Sequence, residues 1–199
     1  MGYDESLNLY QYVRNDPLNN TDPTGREIRF GTDDIGFIVD VALDLAKLMS
    51  EPGGAALVRE LHASEHVITI VPGTQNTTVF QSQEGSNDGT GTGATVYFNP
   101  DQTRGNRDVE GNAQRPSFVG LGHELGHSRD AVRGEDDPQN PETSAVRTEN
   151  VIRREHGLPQ VPPPRQSGST TQRPEVRNDQ GQGQRQTERV CQTGSRICR

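Results

Sequence analysis

Residues 118–133 read FVGLGHELGHSRDAVR, and the spacing inside this stretch makes the strongest chemical demand in the chain. His123 and His127 are four positions apart, so on an α-helix they project from one face a single turn from each other, with Glu124 beside the first. Two imidazoles and a carboxylate so arranged form a metal claw. Pro116 and Ser117 are helix-start signals, and Leu121, Leu125 and Val132 place an apolar stripe on a different face from the histidines. Gly120, Gly122 and Gly126 each cost such a helix about 1 kcal/mol relative to Ala. Three of them predict that another element passes very close to this backbone.

His-Glu-x-x-His is the zinc-peptidase signature, in which both imidazoles bind Zn²⁺ and the glutamate is the base for a metal-bound water. Over five residues, a helix that carries two histidines and no metal reads the same way. The discrimination comes from a third ligand, because a catalytic zinc takes three protein ligands and leaves its fourth position open. Asp130 and Arg133 stand where an extended motif would place a Gly and that ligand, so it must come from another element. Residues 140–157 predict one: a helix with Asn140 as N-cap, Pro141 as first helical residue and Gly157 as its stop. Glu142 and Glu149 share one face of it. Small Ala145 follows Glu142 by three, whereas bulky Ile152 follows Glu149 by three, and close helix packing therefore favours Glu142, with Glu149 as the alternative. Otherwise both are ordinary glutamates of a solvated face, paired with Arg147, Arg153 and Arg154.

GHELGHS at 122–128, followed by ETSAVRTENVIRREHGLP at 142–159, resembles the NleD-like effector metallopeptidases of bacteria, whose pattern runs HELxH, a short loop, ExxAVxxEN and RxExGxP. The resemblance spans residues 67–159 and is strongest from Gly122 onward. It implies a zinc endopeptidase of the gluzincin type, with His123 and His127 as ligands, Glu124 as base, and a glutamate of the second helix as third ligand. It leaves the choice between Glu142 and Glu149 open. Residues 160–164, QVPPP, separate the last motif Pro from Arg165, a departure from relatives that carry an Arg soon after that Pro.

Residues 1–25 are a turn-rich polar strip, with Asn15-Asp16-Pro17, Asn19-Asn20 and Asp22-Pro23-Thr24-Gly25 around a short aromatic alternation at Leu9, Tyr10 and Tyr12. This strip cannot fold alone. Asn8, Tyr10, Tyr12-Val13, Asn15, Pro17 and the DPTG at 22–25 closely resemble the end of the Rhs core, the β-cocoon shell that precedes a variable C-terminal toxin. The resemblance implies a toxin tip exported by type VI secretion, acting as an effector in the cytoplasm of a target cell. Its implied partners are the Rhs shell of the parent chain, a cognate immunity protein and a protein substrate in the target cell. Arg26 stands where a Leu usually follows the Gly of that motif.

Between these landmarks the pattern is plainer. Residues 32–50 predict an amphipathic helix capped by Thr32, with Ile38, Val41, Ala42, Leu45, Leu48 and Met49 inward. Pro52-Gly53 ends it, and a shorter helix over 55–63 turns Leu57, Val58 and Leu61 inward. Residues 66–71, 77–80 and 94–98 read as strands, the last assigned to the sheet edge that would pair with a substrate backbone. GSNDGTGTG at 85–93 is a flexible connector, and His62 with His66 is not expected to form a second claw.

Hydrophobic residues make up only 28% of the 199, so part of the chain contributes nothing to a core. That part is 160–199, rich in Pro, Gln, Ser, Gly and Arg, which predicts a disordered tail; Cys191 and Cys198 lie within it. Residues 1–159 hold 13 basic and 25 acidic side chains, a balance that argues against a nucleic-acid-binding surface there. No segment is long or apolar enough to cross a bilayer, and no signal peptide is present.

The combined expectation has three parts: an Rhs junction at 1–25, a metallopeptidase domain at 26–159, and the tail at 160–199. The domain is an α+β zincin, its active-site helix and ligand-bearing second helix packed on a small, mostly antiparallel sheet. Arg153, Arg154, His156 and Tyr97 are candidate donors to the oxyanion. Two readings compete: an Rhs tip of another chemistry, such as a nuclease, and a non-enzymatic junction fragment with a degenerate, metal-free helix.

Overall fold

Local caps and spacing set the first two helices. In a computed structural model, which describes residues 28–164, α1 spans Ile35–Met49 and is capped by Asp34, whose carboxylate accepts the Phe37 N–H. Thr32, the expected cap, instead accepts the Asp34 N–H. The seam that α1 buries is Phe37, Val41, Asp44 and Leu48, so Ala42 faces outward, against expectation, about 100° round the helix from Val41. Pro52 does not only stop α1. It opens α2, Pro52–Ala63, from the first-turn position where a missing N–H costs nothing, and Leu57, Val58 and Leu61 are buried as their spacing implies.

The four strands are β1 Ile28–Phe30, β2 Ile68–Pro72, β3 Thr77–Phe80 and β4 Ala94–Phe98, in the spatial order β1-β2-β4-β3. The fold is α+β with a small mixed sheet. Only β3 and β4 pair antiparallel; β1 with β2 and β2 with β4 are parallel. This corrects the mostly antiparallel expectation in two ways. β1 is three residues long, too short to show a period of two, and its link to β2 is the α1–α2 pair. The stretch from β2 to β4 is long enough to act as a crossover, which returns β4 beside β2 in the same direction. β4 is therefore interior, and the edge assigned to it belongs to β3.

Ile68, Ile70, Ala94, Val96 and Phe98 on one sheet face are fully buried against Val41, Leu48, Leu61, Leu121, Leu125 and Ile152. At the centre lies α3, Ser117–Arg133, packed on α1, α2, β3, β4 and the last helix, α4, Glu142–Glu155. The glycines of α3 explain themselves here. A Cβ at Gly122 would collide with Ile152, and one at Gly126 would come within 3.2 Å of the Ala145 Cα. Bulky Ile152 and small Ala145 on α4 thus each meet a glycine, so the two helices approach closely over the stretch between these contacts.

The glycine loop after β3 is a connector, as expected, but it is stitched down. The last carbonyls of a helix lack intrahelical partners, and loop amides supply them. Thr92 donates to the Ala131 carbonyl at 2.9 Å and Gly89 to that of Gly134 at 3.1 Å, while Asp136 donates to Ser86 at 2.8 Å. Beyond α4, left-handed Gly157 ends the helix. The Asn150 side chain then clamps Val161, accepting its N–H at 2.8 Å and donating to its carbonyl at 2.9 Å. Val161, buried at 2% exposure, is thereby held against α4. The junction at 1–25 and the rest of the tail lie outside the described residues. Among those described, no helix is long and apolar enough to cross a membrane.

Candidate active site

The histidines of α3 and the first residue of α4 converge. His123 Nε2 lies 3.2 Å from Glu142 Oε2, and His127 Nε2 lies 3.7 Å from Glu142 Oε1. The two rings meet edge to face with centroids 5.0 Å apart. One ligand atom from each of the three residues lies within 4.8 Å of the others. A tetrahedral zinc with bonds of about 2.0–2.1 Å separates its ligands by about 3.3 Å, so this N, N, O set is spaced to hold such an ion. His62 and His66 contribute to no second group of this kind among the described residues.

Glu149 occupies the other side of His123. Its Oε2 pairs with His123 Nδ1 at 2.9 Å, its Oε1 accepts from Arg153 Nε at 2.7 Å, and it is 0% exposed. An ionised carboxylate only accepts, so His123 donates from Nδ1 to Glu149 and, without metal, from Nε2 to Glu142; a metal at Nε2 would replace that second proton. Of the two acids on α4, Glu142 stands beside the Nε2 pair and Glu149 behind it.

In the metal-free site the two imidazoles share one charge. Burial opposes the charged form of His123, but hydrogen bonds to Glu142 and Glu149 and the fields of Glu149 and Glu124 outweigh it and raise the pKa to about 9. His127 goes the other way, to about 4, because burial and the neighbouring His123 charge overcome the pull of Glu142. The hydrogen bond with His123 holds the Glu142 carboxyl below its usual range in spite of partial burial.

Glu124 is 5% exposed, and its Oε2 lies 2.9 Å from the Thr78 hydroxyl on edge strand β3. Burial raises its pKa, against the opposing effects of His123, Thr78 and Arg115. A carboxylate so tuned is a better proton acceptor than an exposed glutamate.

These groups open onto a cleft of about 680 Å³ that runs along β3, from Gln102 and Arg104 to Gln83 and Asp136. None of the four expected oxyanion donors lines it. Arg153 is buried with its Nε on Glu149 and an Nη on the Pro159 carbonyl, and His156 packs edge-on to Phe118. Tyr97 is exposed on β4, which is not the edge. The buried cation in the cleft wall is Arg115, only 7% exposed, whose Nη1 lies 3.9 Å from Glu149 and whose Nε has no partner among the described residues. Its guanidinium fits because Gly105 and Gly120 leave room: a Cβ at Gly105 would come within 2.9 Å of its Nε. Nothing in the local pattern around Arg115 announces this. It comes from a charged loop, and the two glycines that seat it are distant from each other in sequence.

No curated protein matches the chain. The family model Peptidase M91, described as effector protein, matches residues 25–145, a span that includes His123, Glu124, His127 and Glu142 and most of the chain's length, and on that match the chain belongs to this peptidase family of effector proteins.

Proposed function

We propose that the chain is a zinc-dependent endopeptidase toxin, carried as the C-terminal tip of an Rhs effector, that cuts a specific protein in the cytoplasm of a target cell. The observation that carries this reading is the meeting of His123, His127 and Glu142 within 4.8 Å, at the wall of a cleft that Glu124 also lines. A zinc ion held by those three residues supplies Lewis acidity, which acidifies water and polarises a peptide carbonyl.

The residues of the chain do the rest. Glu124 takes the proton of the attacking water on its carboxylate, steered by the Thr78 hydroxyl, and returns it to the leaving amine. Glu149 holds the His123 ring through Nδ1, so that Nε2 would be oriented to bind a metal held together with His127 and Glu142. Arg115 is the donor to the oxyanion, the one cation of the cleft wall with an uncommitted buried N–H among the described residues. The free edge of β3 offers backbone groups to an extended substrate. Delivery by an Rhs shell and neutralisation by an immunity protein rest on the 8–25 motif alone. The acidic body argues against a nucleic-acid substrate, and no membrane partner is invoked.

The test is elemental analysis of the purified chain together with a cleavage assay. About one zinc per chain is expected, retained in Glu124→Gln while cleavage falls by about 10²–10⁴-fold. A parent without zinc after reconstitution, or a fully active Gln variant, would remove the mechanism.

A further inference from the structure

The link from α3 to α4 carries three acids in a row, Glu135, Asp136 and Asp137. Asp136 differs from its neighbours. It is only 8% exposed, and it lines the cleft on the side where β3 ends, in the region of Ser86. Its backbone is pinned to Ser86 at 2.8 Å, in the loop already tied to the end of α3. Its carboxylate has no hydrogen bond or ion pair to any described residue. The charges that reach it are those of Asp130 and Asp137, and burial together with these like charges raises its pKa. Arg104 also lines the cleft, in the loop that meets the start of β3 through the Gln102–Asn76 hydrogen bond.

We infer that Asp136 is a specificity residue that seats a basic side chain, lysine or arginine, of the substrate peptide. A carboxylate drawn mostly out of water beside other carboxylates is unfavourable until a cation arrives. The substrate can bring that cation, since the cleft joins Asp136 to the groups around Glu124 in one continuous surface. A metal ion suits the place less well. Among the described residues only His123, His127 and Glu142 gather three ligand atoms closely enough, whereas one carboxylate matches the single charge of an ammonium or guanidinium. A fixed acid on the side where β3 ends and Arg104 in the loop that meets its start also give the cleft a polarity, so a bound peptide has a preferred direction along β3.

This inference rests on the peptidase reading, and the experiment separates the two. Denatured cellular protein is cut after glutamate, which keeps lysine and arginine internal. The peptides are then incubated with the zinc-loaded full chain, and the new termini are sequenced by mass spectrometry. Lysine or arginine should be enriched at one fixed position relative to the cut. Asp136→Asn should lower that enrichment by about tenfold or more, the loss expected when a charged hydrogen bond is removed. Asp136→Glu should retain the basic preference, and Asp136→Lys should turn it toward acidic residues. Cuts by the parent without positional enrichment, or enrichment that survives Asp136→Asn, would overturn the inference and leave the peptidase standing. No new termini from a parent that holds one zinc would overturn both.

Discussion

Glu142 and Glu149 are the same residue type on the same face of α4, about two turns apart, and the protein gives them opposite surroundings. Glu142 stands at the mouth of the cleft with 52% of its side chain exposed, facing the two Nε2 atoms. Glu149 is sealed beneath it, with His123 on one oxygen and Arg153 on the other. The contrast is one of access. A carboxylate at an open rim can exchange water for a metal and admit a substrate beside it, whereas a sealed one is saturated by fixed partners and can only hold them in place. Helix spacing makes the two equivalent. What lies above each turn of the helix makes them different.

Glu142→Ala should produce the largest effect. Zinc should fall from about one per chain to a trace, while the metal-free protein loses only the half-exposed His123–Glu142 hydrogen bond, about 1 kcal/mol. Glu149→Ala should do the reverse. It leaves Arg153, 1% exposed, without its carboxylate, which costs about 3–5 kcal/mol. Zinc should still bind, about 10–100-fold more weakly, because the His123 ring has lost its orienting partner. Zinc retained in Glu142→Ala but absent from Glu149→Ala would exchange the two roles.

The smallest effect is the dependence of metal-free stability on pH. His123 has a folded pKa near 9 against 6.5 unperturbed, so its contribution is complete below pH 6.5 and is lost as pH climbs toward 9. His127 has a folded pKa near 4, so it costs stability as pH falls from 6.5 toward 4. The metal-free melting temperature should peak near pH 6.5, the unperturbed value of both rings. Zinc should flatten the alkaline limb, since both imidazoles then serve as neutral ligands. A melting temperature constant from pH 6.5 to 9 without metal would break the link between His123 and its two glutamates.

The parts of the molecule legible in its sequence are those whose cause is local. The spacing of His123 and His127, the inward faces of α2 and α3, the stop at Gly157 and the bounds of β3 and β4 all follow from periods and caps within a few residues. The glycines of α3 likewise declare a close neighbour, though not which one. Sheet order, by contrast, is a long-range property. β4 alternates like any half-buried strand, and nothing in its five residues states that β2 flanks it on one side and β3 on the other.

The site divides along the same line. By itself the sequence determines a helix with a two-histidine claw, a neighbouring base, a second helix with two candidate acids, and an acidic body. Only the tertiary structure decides that Glu142 rather than Glu149 meets the Nε2 atoms, that Arg115 rather than Arg153 faces the cleft, and that Asp136 lies there with no cation beside it among the described residues. The physical reason is that periodicity determines which residues share a face. Burial, free valence and charge at a point depend on elements that arrive from elsewhere in the chain, and those are decided when α3 is enclosed by β3, α4 and the loop stitched to its end.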